Sequence, residues 1–173
     1  MKIETRIENF TIRTAEATDC KLILNFIKEL AEYEKLLHEV EASEQTLKDS
    51  LFSEKPFAKV IIGEFENTPV GYALYFNNFS TFTGRPGIYL EDLFVPEQHR
   101  GQGIGKLLLA TLAKIAVERD CPRLEWSVLD WNQPAIDFYE SLGTTVMRDW
   151  LPCRIDDINL SEIALQGTTV SKR

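Results

Sequence analysis

The chain has 173 residues, 44% hydrophobic and 27% charged, with a formal net charge of −8 at pH 7. That length suits one domain, residues 1–173, with enough apolar content for a core without disulfides, and it excludes a disordered chain. The negative charge argues against nucleic acid, whose phosphates need a basic footprint, and suits a cationic partner.

No apolar run approaches the roughly 20 residues of a membrane helix, and Met1-Lys-Ile-Glu-Thr-Arg lacks the apolar centre of a secretory signal. The expected setting is therefore cytoplasmic, away from any membrane. Cys20, Cys121 and Cys153 lack zinc-site or CxxC spacing, and with only His38 and His99 no metal is expected.

Residues 10–13 read as a first strand. From Asp19, the apolar residues Ile23, Phe26, Ile27, Leu30 and Leu37 recur at helical spacing and predict a helix to about residue 37. Ser43 caps a second helix over 44–52. Residues 58–65 and 70–79 are β-rich, and Glu66-Asn-Thr-Pro between them signals a hairpin. Residues 83–87 form a loop, and 88–95 a nearly continuous apolar strand interrupted by Glu91 and Asp92.

A Gly-rich stretch at 100–105 leads into an amphipathic helix from Lys106 to about residue 119. Residues 124–129 read as a strand. Asn132 or Gln133 opens another helix, with Pro134 in its first turn and Gly143 at its end. Residues 144–150 and 154–165 read as two closing strands. The expected fold is α/β, a mixed central sheet flanked by helices in the order βααβββαβαββ, with 88–95 central.

The Gly-rich stretch is Val95-Pro-Glu-Gln-His-Arg-Gly-Gln-Gly-Ile-Gly-Lys106. Glycines let backbone N–H groups approach a ligand, and such groups at a helix N-terminus attract an anion such as a pyrophosphate. A dinucleotide fingerprint would need Gly where Lys106 stands. A P-loop would need Gly at Arg100 and Ser or Thr at Leu107. What remains is Arg100-x-x-Gly103-x-Gly105, which could also be a turn that only caps a helix.

Two signatures together carry a resemblance. Arg100-Gly-Gln-Gly-Ile-Gly105 resembles the coenzyme A loop of the GCN5-related N-acetyltransferases. Asn132, Phe138, Tyr139 and Gly143 follow that family's second signature in order. Ile27-Lys-Glu-Leu-Ala-Glu-Tyr-Glu34, Tyr89-Leu-Glu-Asp92 and Trp131-Asn132 are similar to its spermidine/spermine N1-acetyltransferase-like branch of diamine and thialysine acetyltransferases. The similarity weakens after Met147.

Independently of resemblance, three carboxylates stand where periodicity predicts burial. Glu34 follows Leu30 by four residues on the apolar face of the first helix. Glu91 and Asp92 point to opposite sides of a strand unless a bulge intervenes. A buried carboxylate without a partner is costly. Glu34 could instead be solvated where the helix has turned, and Glu91 and Asp92 could be a structural hydrogen-bonded pair. Tyr139, among Ala135, Phe138 and Leu142, could be a core residue.

The resemblance implies acetyl-coenzyme A as co-substrate, held by Leu93, Phe94, Val95, Arg100, Gly101, Gln102, Gly103, Ile104, Gly105, Lys106, Asn132, Pro134 and Tyr139. Glu91 would take a proton from the amine, directly or through water, and Tyr139 would protonate the leaving thiolate. Glu34, Asp92 and Trp150 would meet a small cationic amine, and the chain would form a homodimer. An alkyl amine has a pKa near ~10.4, so at neutral pH a base is needed to free the nucleophile. The rival readings are acetylation of a protein amine and a non-catalytic acyl-coenzyme A-binding module.

Overall fold

The computed structural model describes residues 2–167. The chain divides between Ser127 and Val128 into two compact units. The first unit holds one six-stranded sheet, in spatial order β1 (Lys2–Glu4), β2 (Phe10–Thr14), β3 (Lys59–Phe65), β4 (Thr68–Ser80), β5 (Arg85–Phe94) and β6 (Leu124–Trp126). Neighbours run antiparallel except β5 and β6, which are parallel.

The hairpin between β3 and β4 turns on Glu66 and Asn67, both at positive φ, as a two-residue turn matched to strand twist requires. On one face, α1 (Cys20–Tyr33) and α2 (Glu44–Leu51) bury Ile23, Phe26 and Leu51 against Val60, Ile62, Tyr72, Leu74 and Phe94. Ser43 caps α2, its hydroxyl accepting from the Thr46 N–H.

On the other face lies α3 (Ile104–Glu118). Gly63 and Gly71 sit opposite each other in the ladder there; a Cβ at Gly63 would meet the Phe10 ring at 2.7 Å, and one at Gly71 the Phe94 carbonyl at 2.9 Å.

Several expectations for the first unit change, among them the loop expected over 83–87, from which β5 takes residues 85–87. The first helix ends at Tyr33, not near residue 37. Lys35 takes φ +63°, and the N–H groups of Lys35 and Leu36 bond back to Glu32 and Ala31. This is a Schellman closure with Lys where Gly is usual, so the ordinary stop signal is missing from the sequence. The strand predicted over 124–129 keeps only Leu124–Trp126, and β1 is an element the sequence did not announce.

The second unit contains α4 (Gln133–Glu140) and α5 (Asp157–Gln166). Asn132 is the N-cap of α4, its side-chain oxygen accepting from the Ala135 N–H. The two closing strands predicted over 144–150 and 154–165 are not present among the described residues. In the first segment the backbone bonds are local: Thr144 to Tyr139, Arg148 to Val146 and Trp150 to Met147. The second is a helix. Ile158 and Leu160, like Ile163 and Leu165, alternate as in a strand, but Glu162, Ala164 and Gln166 favour helix. No described helix is long and apolar enough to cross a membrane.

Candidate active site

Strand β5 carries the centre of the first unit's site. Leu74 pairs with Asp92 and Tyr75 with Leu90, so the register skips Glu91, which is the extra residue of a β-bulge. A bulge of this kind re-aims side chains. Glu91 is exposed and Asp92 half-buried. On its other side, β5 pairs with β6 only from Ile88 to Leu90, so the backbone from Glu91 to Phe94 lies beyond the end of that ladder.

Asp92 accepts a 2.7 Å hydrogen bond from the hydroxyl of Tyr72 on β4. Burial pushes the Asp92 carboxyl up, while the Tyr72 bond favours its charged form and opposes that rise. Glu34, at the C-cap of α1, is half-buried. Burial pushes its carboxyl up, and the nearby charge of Asp92 adds to the rise. Neither Glu34 nor Asp92 forms an ion pair among the described residues. Glu34 is not in mid-helix, yet it remains half-buried beside a second acid.

After β5, Gly101 and Gly103 take φ +74° and +82°, and Gly103 is the N-cap of α3. A Cβ at Gly101 would meet nothing within 4 Å, and one at Gly103 only the tip of Ile7 at 3.8 Å. Backbone conformation, not crowding, therefore demands glycine at both. The space beside the helix N-terminus is open to an anionic group, which fits a coenzyme pyrophosphate.

The Arg100 side chain is used locally. Its Nε donates to the Val95 carbonyl at 2.9 Å, and its guanidinium lies 4.6 Å from the Tyr33 ring centroid. It braces the loop against the end of α1. Gln102 and Lys106 are exposed, and Gly105 is half-buried beside the buried Ile104.

Asn132, Pro134, Tyr139 and Trp150 belong to the second unit. There Asn132 and Tyr139 are buried, Pro134 lies in the first turn of α4, and the Tyr139 ring packs on Phe138 with centroids 5.2 Å apart. Trp150 is exposed. Sequence reasoning missed Tyr72. It lay inside an apolar β-rich run, and only the pairing register of β4 and β5 reveals its partner.

The family model of the acetyltransferase (GNAT) family matches residues 24–144. Thialysine N-epsilon-acetyltransferase of Mus musculus is 40% identical over 164 residues, covering 88% of this chain and 96% of the relative. L-ornithine N5-acetyltransferase of Arabidopsis thaliana is 32% identical, covering 83% of each chain. Among solved structures, an integron cassette protein from the mobile metagenome of V. cholerae aligns with TM-score 0.76 and 31% identity, over 91% of this chain and 99% of that one. An aminoglycoside acetyltransferase from an uncultured soil metagenomic sample shares the fold at TM-score 0.72 and 19% identity, over 86% and 96%. With its bulged β5 and its glycine loop at the N-terminus of α3, the chain belongs to the GNAT family and is an acetyl-coenzyme A-dependent N-acetyltransferase.

Proposed function

We propose that the acceptor is a small cationic amine, a diamine, a polyamine or a thialysine-like amino acid. The observation that carries this is the pair Glu34 and Asp92. Two half-buried carboxylates within electrostatic reach, with no cation from the described residues, are unfavourable until a cation arrives. A substrate with a second, distal ammonium supplies one. Relatives named for thialysine, for L-ornithine and, as a spermidine/spermine N(1)-acetyltransferase-like protein, for polyamines support the same class.

Acetyl-coenzyme A, when bound, supplies a thioester carbonyl carbon that the neutral amine can attack directly. In this reading the backbone N–H groups of Gly101 to Lys106 cradle the pyrophosphate, with Asn132 and Pro134 beside the coenzyme. Backbone N–H from Leu93, Phe94 or Val95 polarises the carbonyl as an oxyanion hole does. Glu91, exposed on its bulge, receives the amine's proton through water, and the Tyr139 hydroxyl protonates the departing thiolate. Glu34, Asp92 and Trp150 hold the acceptor so that both reactants meet in one ternary complex.

We take residues 1–173 as one acetyltransferase domain, which a family match running across the boundary at Ser127 supports, and its setting as the cytoplasm. We also take the working form as a homodimer. The exposed apolar side chains Ile158, Leu160, Ile163 and Leu165 on α5 support this, and sedimentation velocity across a concentration series tests it.

The test of substrate class is acetyl-coenzyme A consumption across diamines, longer polyamines, thialysine, monoamines and peptides. We expect the highest kcat/KM on acceptors with a second positive charge. A preference for monoamines or for peptides without such a charge would overturn the assignment.

A further inference from the structure

The Tyr72 hydroxyl has no part in the chemistry described above. Tyr72 is fully buried, and its ring stacks on Phe26 with centroids 5.3 Å apart and planes 7° from parallel. A phenylalanine would fill the same space, so packing alone does not explain the hydroxyl. A buried phenol needs a hydrogen-bond partner, and this one donates to Asp92 Oδ2 at 2.7 Å.

The register explains the geometry. Tyr72 pairs with Phe94 and Leu74 with Asp92, so Tyr72 and Asp92 are diagonal neighbours across the two strands. The stack on Phe26 fixes the ring, and the ring fixes where the hydroxyl can point. Asp92 is thereby held by one oxygen. Its Oδ1 accepts no hydrogen bond among the described residues and remains for a cation.

We infer that Tyr72 is a positioning residue for acceptor binding: its hydroxyl orients the Asp92 carboxylate so that Oδ1 meets the distal ammonium of the amine. The inference rests on the substrate reading above and adds a residue to it. Electrostatics act in the same direction. Burial pushes the Tyr72 phenol well up from its ordinary range, and the charges of Asp92, Glu34 and Glu91 add to this, so Tyr72 stays a donor at any working pH. The groups coupled to Asp92 are Tyr72 from β4, which donates to it, and Glu34 from α1, whose charge it opposes. Of these only Tyr72 favours its ionised form by donating a hydrogen bond.

The experiment compares Tyr72→Phe, Asp92→Asn and the double variant, each with a diamine and with the monoamine of the same chain length. For Tyr72→Phe, KM for the diamine should rise about 5- to 10-fold, a part of what one hydrogen bond to a charged group is worth, since the lost bond aims Asp92 and does not itself touch the amine. Its kcat, its KM for acetyl-coenzyme A and its KM for the monoamine should be unchanged. The acid limb of its diamine KM profile should move to higher pH, a change that loss of packing would not produce. In the Asp92→Asn background, Tyr72→Phe should add nothing.

An unchanged diamine KM in Tyr72→Phe, or an equal rise for both acceptors, overturns the positioning role. If Asp92→Asn itself leaves the diamine KM unchanged, the acidic-pair reading falls, and the role of Tyr72 falls with it. Asp92→Glu tests aim separately and does not depend on Tyr72→Phe folding. It keeps the charge but lengthens the arm, so a raised diamine KM is expected, whereas wild-type KM would show that charge without aim is enough.

Discussion

Two clusters of charge sit in the first unit and are built on opposite principles. In one, Arg13 of β2 gives Asp19 two hydrogen bonds, at 2.7 and 2.9 Å, and gives Glu64 of β3 one at 2.8 Å from Nε. The Arg13 bond holds the Asp19 carboxyl below its ordinary range, and the two acids push the guanidinium up. In the other, Asp92 accepts a tyrosine hydroxyl, Glu34 lies within its electrostatic reach, and both carboxyls are pushed up. The first cluster has its cation built in and ties the start of α1 to the sheet. The second has two negative charges and no cation from the described chain. Paired charge serves the fold, and half-buried unpaired charge is what a site for a transient cation requires.

The largest expected effect lies in the first cluster. Arg13→Ala leaves Asp19 and Glu64 mostly buried without their partner, which should cost about 2–4 kcal/mol. For a chain of this size that is a fall in Tm of roughly 5–15 °C. Thermal unfolding reads the loss. The KM for acceptor and coenzyme in the folded variant should stay within about twofold, as for independent sites. A rise in acceptor KM alongside a small change in Tm would erase the distinction between the clusters.

Glu34→Gln should show the reverse pattern. The side chain is nearly isosteric, so Tm should hold or rise. For an acceptor with a distal ammonium, losing one partly buried ion pair should weaken binding by about 1–3 kcal/mol. That is a 5- to 150-fold rise in KM where KM tracks affinity. The matched monoamine should be nearly unaffected. Equal effects on both acceptors would show that Glu34 does not meet the substrate's charge.

The same contrast explains what could be read from sequence. The glycine loop was legible because positive φ at Gly101 and Gly103 restricts the residue type. The Ser43 cap and the Asn67 turn were legible for similar local reasons. That Glu34, Glu91 and Asp92 stood out followed from helical and strand periodicity. Their surroundings did not follow, because these depend on non-local register. The bond from Tyr72 to Asp92 joins residues 20 apart through a bulge that skips Glu91. The stop at Tyr33 was hidden by Lys35 in a glycine's conformation, and α5 by apolar residues spaced two apart.

The smallest effect is also the one whose sign separates the clusters most cleanly. Asp92 has a folded-state pKa above the unfolded value of about 3.9. Such a group contributes stability that is fully present below the unfolded pKa and is lost as pH rises through the folded one. Asp19, held low by Arg13, does the opposite: its contribution is present above the unfolded value and is lost as pH falls through the folded one. Asp92→Asn removes the titration but keeps an oxygen for the Tyr72 hydroxyl. It should therefore be more stable than the parent at pH 7, with a higher Tm. The advantage should shrink as pH falls toward the unfolded carboxylate range. Asp19→Asn should be less stable at pH 7, and its deficit should close only at still lower pH. Paired melting curves between neutral and acid pH read both differences. A destabilised Asp92→Asn at pH 7 would mean that the folded chain already compensates the Asp92 charge, and the site would then have no need of a substrate cation.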